Sequence, residues 1–127
     1  MSKADMLKAK RYRIQDSKGR YFYVTIANDP TVGTPLELWV TVADENKQQE
    51  QNIKTEITTV ATLFTEARQG GVPYTKLVKA MDNVCYSKAS LSARVLRLLQ
   101  THCTVEKAKQ LEFEFASEKG NGGNNVV

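Results

Sequence analysis

Ser87, Ser90, Arg94 and Arg97 fall within one run, YSKASLSARVLRLL, in a pattern suited to holding an anion. Serine hydroxyls beside the unpaired N–H groups of a helix start can receive phosphate oxygens. Two arginines three residues apart share a helical face and can add charge-assisted, bidentate bonds. Upstream, Tyr74 and Tyr86 offer rings on which a base or ribose can stack, and Asn83 offers an amide to read a base edge. These are the parts of a nucleotide pocket. Each is also common by itself, and the plainer reading of the same residues is a helix cap with surface arginines.

Catalytic chemistry finds less material. The chain has one histidine, His102, and two cysteines, Cys85 and Cys103, which lie 18 residues apart. That set is too small and too widely spaced for a zinc site. No HExxH, GxSxG, P-loop or GxGxxG motif occurs, and His102 has no visible triad partner. Glu112 and Glu114 share a face if LEFEF is a strand, which reads as a solvated edge before it reads as a carboxylate pair. Cys85 stands three residues from Lys88, a neighbour that can lower a thiol pKa; a small half-buried residue at a helix joint is the simpler account. The expectation is a protein that is not an enzyme and uses no cofactor.

The elements that must position these groups follow from the hydropathy pattern. Tyr12 and Ile14 alternate with Arg11 and Arg13, and Phe22, Val24 and Ile26 alternate with Tyr21, Tyr23 and Thr25, on either side of the turn sequence DSKG. After the proline- and glycine-bearing loop 28–35, Leu36, Leu38, Val40 and Val42 form the apolar side of a third strand. The strands' other face carries Arg11, Arg13, Tyr21, Tyr23 and Trp39. Such a face serves either as an oligomer contact or as a single-strand nucleic-acid platform, and the missing RNP signature favours the oligomer. A polar run, 44–52, opens a long helix whose stripe is Ile53, Ile57, Val60, Ala61, Phe64 and Ala67, stopped by Gly70-Gly71. A short helix from Tyr74 to Met81 turns Leu77, Val78 and Met81 inward. Ser90 then caps a second amphipathic helix with Leu91, Val95, Leu98, Leu99 and His102 on its buried stripe. Leu111 to Phe115 alternates as a short C-terminal strand would, and the same run also reads as continued helix.

The fold class expected is therefore α+β: an antiparallel three-stranded meander followed by a long, a short and a second amphipathic helix. The domain organisation expected is a loose arm over 1–9, one domain over 10–116, and a disordered tail over 117–127. Among 127 residues, 41% hydrophobic content with 25% charge fits a single globular domain. The net charge of +4 permits an anionic partner without requiring one. No apolar run reaches the roughly 18 residues of a membrane span, MSKADMLKAK lacks a signal-peptide core, and free thiols fit the cytoplasm.

The order of elements resembles the TSCPD domain over about residues 10–103. Pro35-Leu36-Glu37-Leu38-Trp39 is similar to a PFEVF-like strand of that family. Arg68-Gln69-Gly70-Gly71-Val72-Pro73 is similar to its R-x-G-V-P helix end, and Lys76 to Met81 to its IIKQL-like short helix. Ser87 to Leu96 falls where the family has SCPDAIAKAL, but the cysteine–proline pair is missing. Such domains occur as accessory modules at the C-terminus of adenosylcobalamin-dependent ribonucleotide reductases. Standalone chains of this build resemble the phage Thoeris anti-defence sponges, oligomers that sequester cyclic ADP-ribose isomers, and in some members cyclic oligonucleotides, without hydrolysing them. In that group the resemblance implies an aromatic that stacks adenine, here Tyr74, with Asn83 and then Arg97 or Arg94 gripping the ligand. The implied function is a non-enzymatic homo-oligomer that sequesters a cyclic nucleotide immune signal in the host cytoplasm. The alternative is an accessory module of a ribonucleotide reductase.

Overall fold

Alternating apolar residues produce three strands, and the helical stripes fold back over one side of them. In a computed structural model that describes residues 8–42, 51–85, 87–88 and 90–126, the order is β1 (Ala9–Gln15), β2 (Tyr21–Asn28), β3 (Pro35–Val42), α1 (Gln51–Gln69), α2 (Tyr74–Val84), α3 (Leu91–His102) and α4 (Val105–Val126). The sheet is antiparallel in the order β1-β2-β3, with Tyr12 opposite Val24 and Val24 opposite Val40. This is the α+β meander that the sequence predicts. Residues 1–7 of the arm predicted over 1–9 and residues 44–50 of the polar run predicted over 44–52 lie outside the described residues, and Ala9 already belongs to β1.

The β1–β2 turn is held by Asp16, whose carboxylate accepts the backbone N–H groups of Lys18 and Arg20 and pairs with the Arg20 guanidinium at 2.6 Å. Burial works against its charge, but the bonds from Arg20 and Lys18 outweigh it and lower its pKa. Gly19, at φ 78°, takes the left-handed conformation that closes the turn.

One face of the sheet is the core. Val24, Ile26 and Leu38 pack with Ala61 and Phe64 of α1, Tyr74 and Val78 of α2, Val95, Leu96 and Leu99 of α3, and Ala108 of α4. A smaller cluster joins Phe22, Ile57 and Leu91 at the other end. The long helix ends in a Schellman arrangement. Val72 N–H donates to Ala67 C=O, Gly71 N–H donates to Arg68 C=O, and Gly71 sits at φ 98°.

At the C-terminus the open choice for Leu111 to Phe115 falls to helix. They are part of α4, which runs to Val126 across the stretch expected to be a disordered tail. The reason is the start of α4. Thr104 accepts the Lys107 N–H on its hydroxyl and the Ala108 N–H on its carbonyl, which fixes the first turn. Ala108 and Leu111 then recur at helical spacing against the body of the protein, with Leu111 against Gly33.

Candidate functional site

The joint between α2 and α3 is where the sequence gathers its polar groups, and the structure gives most of them a local task. Ser90 is the N-cap of α3, as predicted: its hydroxyl oxygen accepts the Ala93 N–H and donates its own proton to Ser87 C=O. Arg97, exposed, donates to Lys88 C=O at 3.1 Å and so ties the linker to α3. Arg94 reaches the other way and donates to Gln15 C=O at the end of β1. Ser87 and Asn83 are exposed, and the Asn83 side chain makes no hydrogen bond to a described residue. Tyr86 lies outside the described residues.

Tyr74 is placed differently from the stacking role that the resemblance implies. Its side chain is 0% exposed, edge-on to Phe64, and its hydroxyl donates between Leu99 C=O and Cys103 C=O at the end of α3. Burial pushes its phenol pKa well up. The ring is a core group that closes α3, and it presents no face to a ligand in this structure.

What the joint leaves available is the start of α3. Ser90 occupies the N–H of Ala93, and the Arg94 N–H bonds back to Ser90 C=O. The N–H groups of Leu91 and Ser92 have no acceptor among the described residues. Helix starts of this kind attract negative charge. Ser87, Asn83 and Arg97 are the exposed polar side chains nearest to it in sequence.

The titratable groups that might have done chemistry are occupied or quiet. His102 bonds to Tyr12 Oη through Nδ1 at 2.7 Å and to Asn28 Oδ1 through Nε2 at 3.0 Å. With the proton on Nε2, the ring donates to the Asn28 oxygen and accepts the tyrosine proton. It thereby clips α3 to β1 and β2. Burial and then the charge of Lys10 lower its pKa. A histidine that is harder to protonate folded than unfolded takes stability away as pH falls through the unfolded value of about 6.5 toward its own lower one. Urea unfolding of the wild type is therefore expected to lose stability from pH 7.5 to pH 5.5 more steeply than that of His102→Gln, and equal slopes would contradict the clip. Cys85 takes the simpler of its two readings: it is half-buried, and burial raises its thiol pKa, aided by Asp82 and Glu56. Cys103 is buried and also raised, chiefly by burial and then by Glu112.

One polar residue of large consequence escaped the reading as a site or core group. Arg68 is 8% exposed and donates Nε to Pro35 C=O at 2.7 Å, Nη1 to Val72 C=O at 2.9 Å and Nη2 to Thr34 Oγ1 at 2.8 Å. Burial lowers its pKa, opposed by the charges of Asp29 and Glu112. It also borders a cleft of 470 Å³ with Thr34, Pro73, Glu112 and Phe115. The available sequence signal was its position two residues before Gly70-Gly71, where a side chain reaches past the helix end. Glu112, read as a strand carboxylate, instead accepts the Thr75 N–H and hydroxyl and holds the first turn of α2 to α4.

The open face of the sheet is as predicted in composition. The Arg11 guanidinium lies 4.0 Å from the centre of the Tyr23 ring and that of Arg13 lies 4.4 Å from Tyr21, while Trp39 is 48% exposed. Each stacked arginine covers one face of its tyrosine, which removes that face as a seat for a base. Among the described residues, no group of three or more His, Cys, Asp or Glu side chains is placed to hold a metal ion. No helix there is long and apolar enough to cross a membrane. Comparison with protein families, with curated proteins and with solved structures finds no match for this chain.

Proposed function

We propose that this chain is a non-enzymatic binding protein that sequesters a cyclic nucleotide signal of the cyclic ADP-ribose type at the α2–α3 joint, and that it works as a homo-oligomer. The observation that carries the reading is the start of α3, where the N–H groups of Leu91 and Ser92 have no acceptor among the described residues and exposed Ser87 and Arg97 flank them in the chain. A phosphate at that position gains the helix N-terminus and a guanidinium together. Sequestration rather than turnover is supported by the state of the reactive groups. The single histidine has both ring nitrogens engaged, and burial raises both thiols. Because Tyr74 is committed to the core, adenine stacking falls to Tyr86 or to a ring brought by a second subunit. The exposed sheet face with Trp39, Tyr21 and the two arginines supports association, since aromatics and arginine are enriched at interface centres.

The test is calorimetry with the cyclic ADP-ribose isomers on the wild type, Asn83→Ala and Arg97→Ala, with light scattering on the same samples. One isomer is expected to bind a protein larger than a monomer and to be recovered intact after heat denaturation. Arg97→Ala is expected to bind it about tenfold or more weakly, the loss of one charge-assisted contact. Asn83→Ala, which removes no internal bond, separates ligand contact from folding. Absence of heat with every isomer, or affinity indifferent to both substitutions, overturns the reading; a converted ligand would make the protein an enzyme.

A further inference from the structure

A cleft of 530 Å³ lies between α2, the end of α3 and the start of α4. Its volume falls within the roughly 300–1,000 Å³ usual for small-molecule sites. Lys76 and Lys79 of α2 and Lys109 of α4 line it, against one carboxylate, Asp82, so three positive charges less one negative leave a surplus of two. Among the described residues, none of these four side chains forms an ion pair or hydrogen bond with another group, and the Gln100 amide in the same wall has no partner there either. Val78, 1% exposed, and half-buried Val105 give the cleft an apolar base.

The backbone around the cleft adds to the same sign of potential. Val105 is the first residue of α4, so the positive end of that helix borders the cleft. At the opposing end of α3 the Tyr74 hydroxyl donates its proton between the Leu99 and Cys103 carbonyls. Glu112, the other acid close to Thr75, places its two oxygens on the Thr75 N–H and hydroxyl.

We infer that this cleft is a second binding site, independent of the α2–α3 joint, for a small phosphate compound carrying at least two negative charges. Three lysines lining one concavity, with no ion-pair partner among the described residues, suit phosphate, to which lysine binds as a point charge. The apolar base suits an ester carrying an organic body above inorganic phosphate itself. The bounded lining, eight residues from α2, α3 and α4, suits a small molecule above a nucleic-acid strand, which needs a continuous groove.

The experiment is a titration of the full chain with inorganic pyrophosphate and with adenosine 5′-diphosphate, followed by backbone amide resonances. Saturable shifts are expected at Lys76, Lys79, Gln100, Val105 and Lys109. Lys79→Glu with Lys109→Glu, both exposed on helix surfaces, is expected to weaken binding about tenfold or more. Asp82→Asn is expected to strengthen it several-fold, a gain that misfolding cannot imitate. The joint variant Asn83→Ala should leave these shifts unchanged, so failure here is distinct from failure of the proposed function. Equal shifts with sodium chloride at matched ionic strength, shifts confined to Ser87 through Arg97, or tighter binding of single-stranded DNA would each overturn the inference.

Discussion

Arg68→Ala is expected to destabilise the protein by about 3–5 kcal/mol, read as a fall of roughly 10–20 °C in Tm. The side chain leaves α1 and reaches the first carbonyl of β3, the Thr34 hydroxyl before it and the Val72 carbonyl beyond the helix end. Truncation strands two buried acceptors, the Pro35 carbonyl and the Thr34 hydroxyl, and the part-buried Val72 carbonyl; each buried polar group left unpaired costs about 1–3 kcal/mol, with incomplete additivity. Against a usual total of about 5–15 kcal/mol that is a large share. Arg68→Lys keeps the charge but not the planar fork, so it is expected to restore less than half of the loss. A change below about 1 kcal/mol in Arg68→Ala would show that the three contacts are not formed in solution.

Tyr74→Ala should cost a similar amount, about 3–5 kcal/mol, because it empties a site at the centre of the core. The ring has no exposed surface and meets Phe64 at 6.3 Å between centres. Tyr74→Phe isolates the hydroxyl. It leaves the ring and removes the bonds to Leu99 and Cys103 C=O, with an expected cost of about 1–2 kcal/mol in urea unfolding. The pair of variants separates a core tyrosine from a ligand-stacking one. A stacking residue would tolerate both changes in stability and lose ligand in the alanine variant alone; the position described predicts graded loss of stability.

The strands and first three helices were legible because their signals are local and mutually consistent. Val24, Ile57 and Val95 each sit on the apolar side of a repeating pattern, and Ser90 and Gly71 carry the chemistry of a cap and a stop. The end of the chain was ambiguous because LEFEF satisfies both periods over five residues. The deciding group, Thr104, lies outside that run. Arg68 and Tyr74 show a different limit. Their roles depend on carbonyls that stand 25 to 33 residues away in sequence, at Leu99 and Pro35. Residue type marked each as polar and available, whereas the fold had already assigned its hydrogen bonds. The arginines of the joint illustrate the same point, since Arg94 finds Gln15 C=O across the chain.

The clasp of α1 on β3 bears on how copies of this protein can join. Thr65 of α1 accepts the Leu38 N–H and donates its proton to the Leu38 C=O, at 2.9 and 3.2 Å, so side chain replaces neighbour strand on that margin. On the opposite margin the even-numbered groups of β1 bond to β2, between the Lys8–Asn28 and Asp16–Arg20 bonds. The odd-numbered groups at Ala9, Arg11 and Arg13 therefore face outward. Among the described residues no group bonds to the outward backbone of Ala9, Arg11 and Arg13, whereas on β3 the Thr65 clasp occupies the outward groups of Leu38. Two copies pairing β1 with β1 would use up that margin of each, and the α1 clasp would stand against further strand addition at β3.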